Sequence, residues 1–253
     1  MRTAIVLGVG PLEGLGAKLS KRFSKEHHVF VAGRSAEKLA PVVEQVREAG
    51  GSAEPLVTDA TDERAVQALF AAAGPSLDLA IYNAGNNTPG AIETMDAAYF
   101  EASWRVCCFG GFLFGREAVR SMKAGGGTVL FTGASASLRG RANFGAFNSS
   151  KAGLRTFAQA LAKECGPAGI HVGHVVVDGP INGDKIRFGF PEYAEKLGDE
   201  RMISLDGIVD AYEFLYRQPR SAWSFEVDVR THLENWQWSM ALPVARGLAL
   251  VVA

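Results

Sequence analysis

Apolar, β-rich runs recur along the whole chain and alternate with segments of helical periodicity. The runs are AIVLGV, HVFVAGR, AEPLVTD, LDLAIYNAG, GTVLFTGAS, IHVGHVVVDG and SFEVDV. Between them, segments 14–25, 35–49, 62–73, 99–123 and 147–165 place apolar residues at helical spacing. Continuous apolar strands joined by crossover helices imply a parallel sheet covered on both faces, the doubly wound α/β arrangement. At 253 residues the chain can bury such a core in one domain, expected over residues 1–238.

Residues 180–207 interrupt the alternation and contain Gly183, Gly189, Pro191 and Gly198. An insertion after the carboxyl end of a strand lies where doubly wound sheets bind ligands, so a substrate lid is expected there, with disordered surface as the alternative. The apolar end, residues 239–253, is far short of a membrane span and carries Arg246. An oligomer-contact arm and a non-native extension are both open readings of it. Trp236 and Trp238 read as packing or pocket lining.

The first strand runs into GVGPLEGLG, with Gly10, Gly14 and Gly16 spaced G-x-x-x-G-x-G before a helix. Glycines there allow a tight turn and let backbone N–H groups approach a pyrophosphate, which makes the sheet Rossmann-like and predicts a dinucleotide. The second strand ends at Ala32-Gly33-Arg34-Ser35. Arginine suits the 2′-phosphate of NADP where a carboxylate would hold the ribose of NAD, so NADP(H) is favoured over NAD(H). Glu13 opposes this unless its carboxylate points outward, and the competing reading of Arg34 is a solvated residue before a helix capped by Ser35. Asp59 is a candidate adenine contact, although it or Asp62 can cap a helix. Asn83, Ala84 and Gly85 end the fourth strand, where small residues leave room for a cofactor and asparagine can tie strands together.

Bulk properties narrow the partners. With 26 Lys+Arg against 27 Asp+Glu and no basic stripe, nothing recommends nucleic acid or a membrane surface. The amino-terminal run is broken by glycine too soon for a signal peptide and reads as a strand. Three cysteines, two of them adjacent, make neither a disulfide framework nor a metal site, and a reducing cytoplasm is the natural setting. His171 and His174 alternate on a strand, so no metal pair is expected.

In GAFNSSKAG, Phe147 and Lys151 lie four residues apart on one helical face. A tyrosine beside that lysine would be an acid/base pair, its phenol pKa lowered by the cation. The glycine turn, Asp59, Asn83-Ala84-Gly85 and a helix bearing Lys151, in that order, resemble the classical short-chain dehydrogenase/reductase family, over residues 1–228. The resemblance implies that Lys151 binds the nicotinamide ribose, with Gly179 also near the cofactor. It further implies that a tyrosine at 147, a serine at 134 and an asparagine near 107 perform carbonyl chemistry. Here those positions hold Phe147, Ala134 and Cys107, and Ser135 is the nearest hydroxyl. The family's Pro-Gly and following threonine read Asp178-Gly179 and Gly183. Ser137, Asn143 and Asp178 are further polar candidates.

Two functions remain. One is an NAD(P)(H)-dependent oxidoreductase with a non-standard catalytic site, reducing a carbonyl or activated alkene. The other is a catalytically inactive NADP(H)-binding sensor or scaffold subunit. In the family, the helices at 99–123 and 147–165 pack against copies of themselves, so a homodimer or homotetramer is expected. Cys107 and Cys108 read as buried apolar residues rather than nucleophiles.

Overall fold

The computed structural model describes residues 1–85 and 87–234; Trp236, Trp238 and the 239–253 tail lie outside the described residues. Strands β1 (Arg2–Leu7), β2 (His27–Gly33), β3 (Ser52–Val57), β4 (Leu77–Tyr82), β5 (Gly127–Ala134), β6 (Ile170–Val177) and β7 (Glu226–Val229) form one sheet. Every pairing is parallel, and the order is β3-β2-β1-β4-β5-β6-β7. Helices α1 (Leu15–Phe23), α2 (Ala36–Glu48), α3 (Glu63–Ala73), α4 (Ala97–Trp104), α5 (Gly110–Met122), α6 (Gly145–Cys165), α7 (Asp184–Arg187), α8 (Pro191–Leu197) and α9 (Leu205–Arg217) connect them. The chain therefore has the expected doubly wound fold. Its strand order reverses between β1 and β4, which opens a crevice at their carboxyl ends.

The apolar runs are continuous because both faces of each strand are buried. In β1, Ala4 and Val6 enter one core with Leu19 of α1, Leu39 of α2 and Leu215 of α9. Ile5 and Leu7 enter the other, with Phe70 of α3, Leu113 of α5 and Leu154 of α6. Each fully buried aliphatic side chain contributes roughly 1.5–3 kcal/mol, so a one-residue slip of a strand is strongly disfavoured.

Three local details refine the sequence reading. Ser35 occupies the N-cap position of α2 but its side chain makes no capping hydrogen bond. Asp62, not Asp59, caps α3, accepting from Arg64 N at 2.8 Å and Ala65 N at 3.2 Å. The helix expected over 99–123 starts at Ala97 and widens into a π-helical stretch, Arg105–Phe109, between α4 and α5. Tyr82 of β4 explains the widening: its hydroxyl donates to the Val106 carbonyl and draws it out of the α-helical ladder.

The 180–207 segment is ordered into α7, α8 and a parallel bridge between Ile181 and Ile203, with Ile186, Ala194 and Met202 forming its own small core.

Candidate active site

The glycine turn is shaped by what lies against it. A Cβ on Gly16 would sit 2.9 Å from Val9 Cα and 3.0 Å from Gly8 O, so the missing side chain lets α1 begin close to the sheet. At Gly14 it would lie 2.9 Å from Pro11 O, whereas Gly10 faces open space. That pattern leaves a backbone surface free for a ligand at the start of α1. Glu13 pairs its carboxylate with Lys18 Nζ at 2.6 Å, so it is not a lone negative charge in the turn. Gly33 passes so close to the turn that a Cβ would lie 2.6 Å from Val9 O.

Arg34 follows β2 as an exposed cation with no ion pair or hydrogen bond to any described residue. Asp59 is exposed at the end of β3 and organises its own turn, accepting from Thr61 N and Thr61 Oγ1 at 2.8 Å each. Asn83 ties three strands together: Nδ2 donates to Gly8 O at 3.0 Å and Oδ1 accepts from Thr132 Oγ1 at 2.9 Å. Thr132 also meets the buried Tyr212 hydroxyl of α9. Ala84 and Gly85 continue from Asn83 to the rim, where Gly85 is exposed. A Cβ on Gly85 would lie 3.4 Å from Lys151 Nζ and 3.5 Å from Cys107 Sγ, so this glycine keeps space open beside both.

Lys151 is 4% exposed, and its Nζ donates to Thr132 O at 2.8 Å. Burial lowers its pKa; the Cys107 thiol opposes that, and repulsion from Lys185 adds to it. Its ammonium lies 5.9 Å from the Phe147 ring centroid, as expected for one helical turn. Phe147, Ala134, Ala136 and Cys107 pack into one buried cluster. Phe147, Ala134 and Cys107, the positions at which the sequence resemblance implies tyrosine, serine and asparagine, are thus brought together in space, and together they form an apolar wall. Cys107 is fully buried, and burial raises the pKa of the neighbouring Cys108 thiol, which makes it a poor nucleophile.

Of the remaining polar candidates, Asp178 is engaged by arginines. Ser135 is half-buried, and its hydroxyl bonds to no described residue. Asn143 is exposed, with a left-handed φ of 67°. Asp178 is buried and accepts from Arg139 Nη2 at 2.8 and 3.0 Å, with Arg230 Nη1 at 3.1 Å. Gly179 faces Ile203, 3.2 Å from where a Cβ would stand.

Sequence reasoning missed a polar chain that ends at Ala134 of this wall. Arg155 Nε donates to Glu226 Oε2 at 2.6 Å, and that carboxylate is 2.9 Å from His174 Nδ1. His174 Nε2 lies 3.5 Å from Ser137 Oγ, which accepts from Ala134 N at 3.2 Å. The signal was a histidine inside the apolar run of β6. Sequence reasoning also missed Lys185 of α7, whose ammonium acts electrostatically on Lys151.

Among the described residues no group of three His, Cys, Asp or Glu is placed to hold a metal. No described helix is long and apolar enough to cross a membrane.

A family model for short chain dehydrogenases matches residues 2–184. A solved short-chain dehydrogenase from Rhodopseudomonas palustris is 36% identical, with a TM-score of 0.78, over 91% of this chain and 99% of that one. A metagenomic short-chain oxidoreductase solved in complex with NADP is 26% identical, with a TM-score of 0.77, over 92% of this chain and 98% of that one. An uncharacterized oxidoreductase of Bacillus subtilis, YuxG, is 30% identical over 190 residues, which are 72% of this chain and 28% of that longer protein. The glycine turn, the asparagine tie and the buried lysine therefore sit in a family frame: the chain belongs to the short-chain dehydrogenase family.

Proposed function

We propose that this protein is an NADP(H)-dependent oxidoreductase that reduces a small carbonyl compound or activated alkene without a tyrosine acid. The observation that carries the reading is Lys151. A buried ammonium held by one backbone carbonyl at 2.8 Å retains N–H donors for a ligand, and it stands beside the space that Gly85 keeps open.

The residues present fit a dinucleotide. Gly10, Gly14 and Gly16 would receive the pyrophosphate, Arg34 the 2′-phosphate, Asp59 the adenine, and Lys151 the nicotinamide ribose. Ser35, Asn83, Ala84 and Gly179 would border it. Once bound, the nicotinamide would supply or accept hydride. The chain's own part is to orient the substrate against the apolar wall, exclude water there and place a cation near the reacting oxygen. An apolar wall suits a substrate whose reduction forms a delocalised enolate, because less protonation is needed at the moment of hydride addition. We further propose a role for residues 180–207 as a lid over this site and a homodimeric or homotetrameric assembly.

The competing reading is a catalytically inactive NADP(H)-binding sensor or scaffold subunit. The coherent packing of Phe147, Ala134, Ala136 and Cys107 favours it, since one cluster replaces three catalytic groups at once. NADPH consumption with a panel of enones, quinones and ketones separates the two. Turnover with any member supports the oxidoreductase, whereas nucleotide binding without turnover across the panel supports the sensor.

A further inference from the structure

Arg139 crosses from the apolar wall to the end of β6, and hydrogen bonds fix it at both ends. Its backbone carbonyl accepts from Asn148 Nδ2 at 2.5 Å, one residue past Phe147 of the wall. Its own N–H donates to Ser135 O at 3.1 Å, next to Ala134. At the far end Nη2 donates to both carboxylate oxygens of Asp178, at 2.8 and 3.0 Å, and Asp178 directly precedes Gly179. The side chain thus reaches across the carboxyl ends of β5 and β6, beside the wall.

The guanidinium keeps donors in reserve. Its Nε–H and both Nη1 N–H groups bond to no described residue, and the side chain is 40% exposed. Asp178 is a weak competitor for an incoming anion. Its side chain is only 3% exposed and is shared with Arg230 Nη1 at 3.1 Å, while Arg230 also pairs with Asp228. The Asp178 carboxylate therefore acts as a buried clamp that orients Arg139. Two residues on, Arg141 forms no hydrogen bond or ion pair with a described residue, and its guanidinium lies 5.3 Å from the Phe144 ring centroid. Phe144 is the N-cap of the 21-residue helix α6 and offers no capping side chain, so the helix dipole adds positive potential at this end of the site.

We propose that Arg139 is the specificity-determining residue of this cleft and takes a carboxylate borne by the substrate, which is then an oxo acid or an unsaturated oxo acid rather than a neutral ketone or quinone. This deepens the oxidoreductase reading above and rests on it. The carboxylate meets the unused Nη1 and Nε donors in a charge-assisted contact, and Arg141 adds attraction at longer range. Arginine suits the task because it stays charged in any surroundings and Asp178 has already oriented its planar donors. A single carboxylate fits better than a phosphate dianion, since Asp178 takes up part of the Arg139 charge. Held by its acid end, the substrate lays its carbon skeleton along Phe147 and Ala134. Binding energy from the remote acid group then fixes the reacting carbon where the wall itself offers no polar contact.

Binding and turnover test this separately. In calorimetric titration of the NADPH-loaded wild type, cyclohexanecarboxylate should bind at least about tenfold more tightly than the neutral cyclohexanecarboxamide. Arg139→Gln should remove that difference and Arg139→Lys should keep part of it, with circular dichroism reporting whether each variant is folded. In turnover, kcat/KM for acetylacrylate relative to its neutral counterpart ethylideneacetone should fall by about tenfold or more in Arg139→Gln, through KM rather than kcat. No binding of the acid by the wild type, or equal affinity for acid and amide, would overturn the proposal and leave the oxidoreductase reading standing. So would an acid preference unchanged in folded Arg139→Gln or, where that variant does not fold, in Arg139→Lys. An acid preference that depends on Arg139, in a protein that reduces neither enone nor any ketone or quinone, would uphold the carboxylate site and overturn the oxidoreductase reading.

Discussion

Gly133 and His174 face each other across adjacent strands, and the His174 ring fills the space where any side chain at 133 would stand. The ring is fully buried and anchored to Glu226, so it cannot swing aside. Gly133→Ala should therefore destabilise the fold by about 1–3 kcal/mol, the range for overpacking a tight core. Urea unfolding measures it, and an unchanged midpoint would show that His174 has room to move.

The same chain makes stability depend on acid. Burial would raise Glu226, but hydrogen bonds from His174 and Arg155 override it and hold the carboxyl at about 2, below its ordinary 4.5. Burial also lowers the pKa of His174 below its ordinary 6.5. In both cases the unfolded chain binds protons more readily, so stability falls as pH falls. The His174 contribution is lost below about 6.5 and the Glu226 contribution between about 4.5 and about 2. Glu226→Gln should flatten the lower part of this profile, read from thermal midpoints at a series of pH values. An unaltered slope would count against the ion pair.

Restoring hydroxyls tests the apolar wall. Phe147 and Ala134 are packed together beside the lysine, so Phe147→Tyr combined with Ala134→Ser rebuilds a phenol and a polarising hydroxyl in one step. NADPH-linked reduction of simple ketones should rise at least ~100-fold over the wild type. No gain in a folded double variant would place the obstacle elsewhere in the cleft.

Arg34 is exposed and pairs with no described residue, so replacing it should cost little stability. If it receives a 2′-phosphate, Arg34→Ala should weaken NADPH binding by roughly tenfold or more and leave NADH binding nearly unchanged, since a charge-assisted bidentate contact is lost. Equal weakening of both nucleotides would assign Arg34 a different role.

Most of the fold was legible because burial on both faces writes each strand as a continuous apolar run; Ala4, Ile5, Val6 and Leu7 need no partner information to be recognised. The glycine turn was legible for a similar reason, since Gly14 and Gly16 answer to neighbours within a few residues. What stayed hidden depends on contacts distant in sequence. The π-helical stretch needs Tyr82 to reach Val106, and the Glu226–His174–Ser137 chain spans three segments of the chain. The seat of α7 against the glycine turn, through Glu13 and Asp184, likewise joins segments far apart in the sequence. The substitutions at 147, 134 and 107 were visible one by one, but their packing into a single wall needed coordinates.

Calorimetric titration of NADPH into the wild type and into Lys151→Met tests the central claim most directly. Lys151 donates to one backbone carbonyl, and in the proposed complex its further N–H donors would meet the nicotinamide ribose. The wild type should bind one NADPH per chain, and loss of a charged donor worth about 1.5–3 kcal/mol should weaken the folded variant by tenfold or more. Absence of NADPH binding by the folded wild type, or an unchanged affinity in Lys151→Met, would contradict the account.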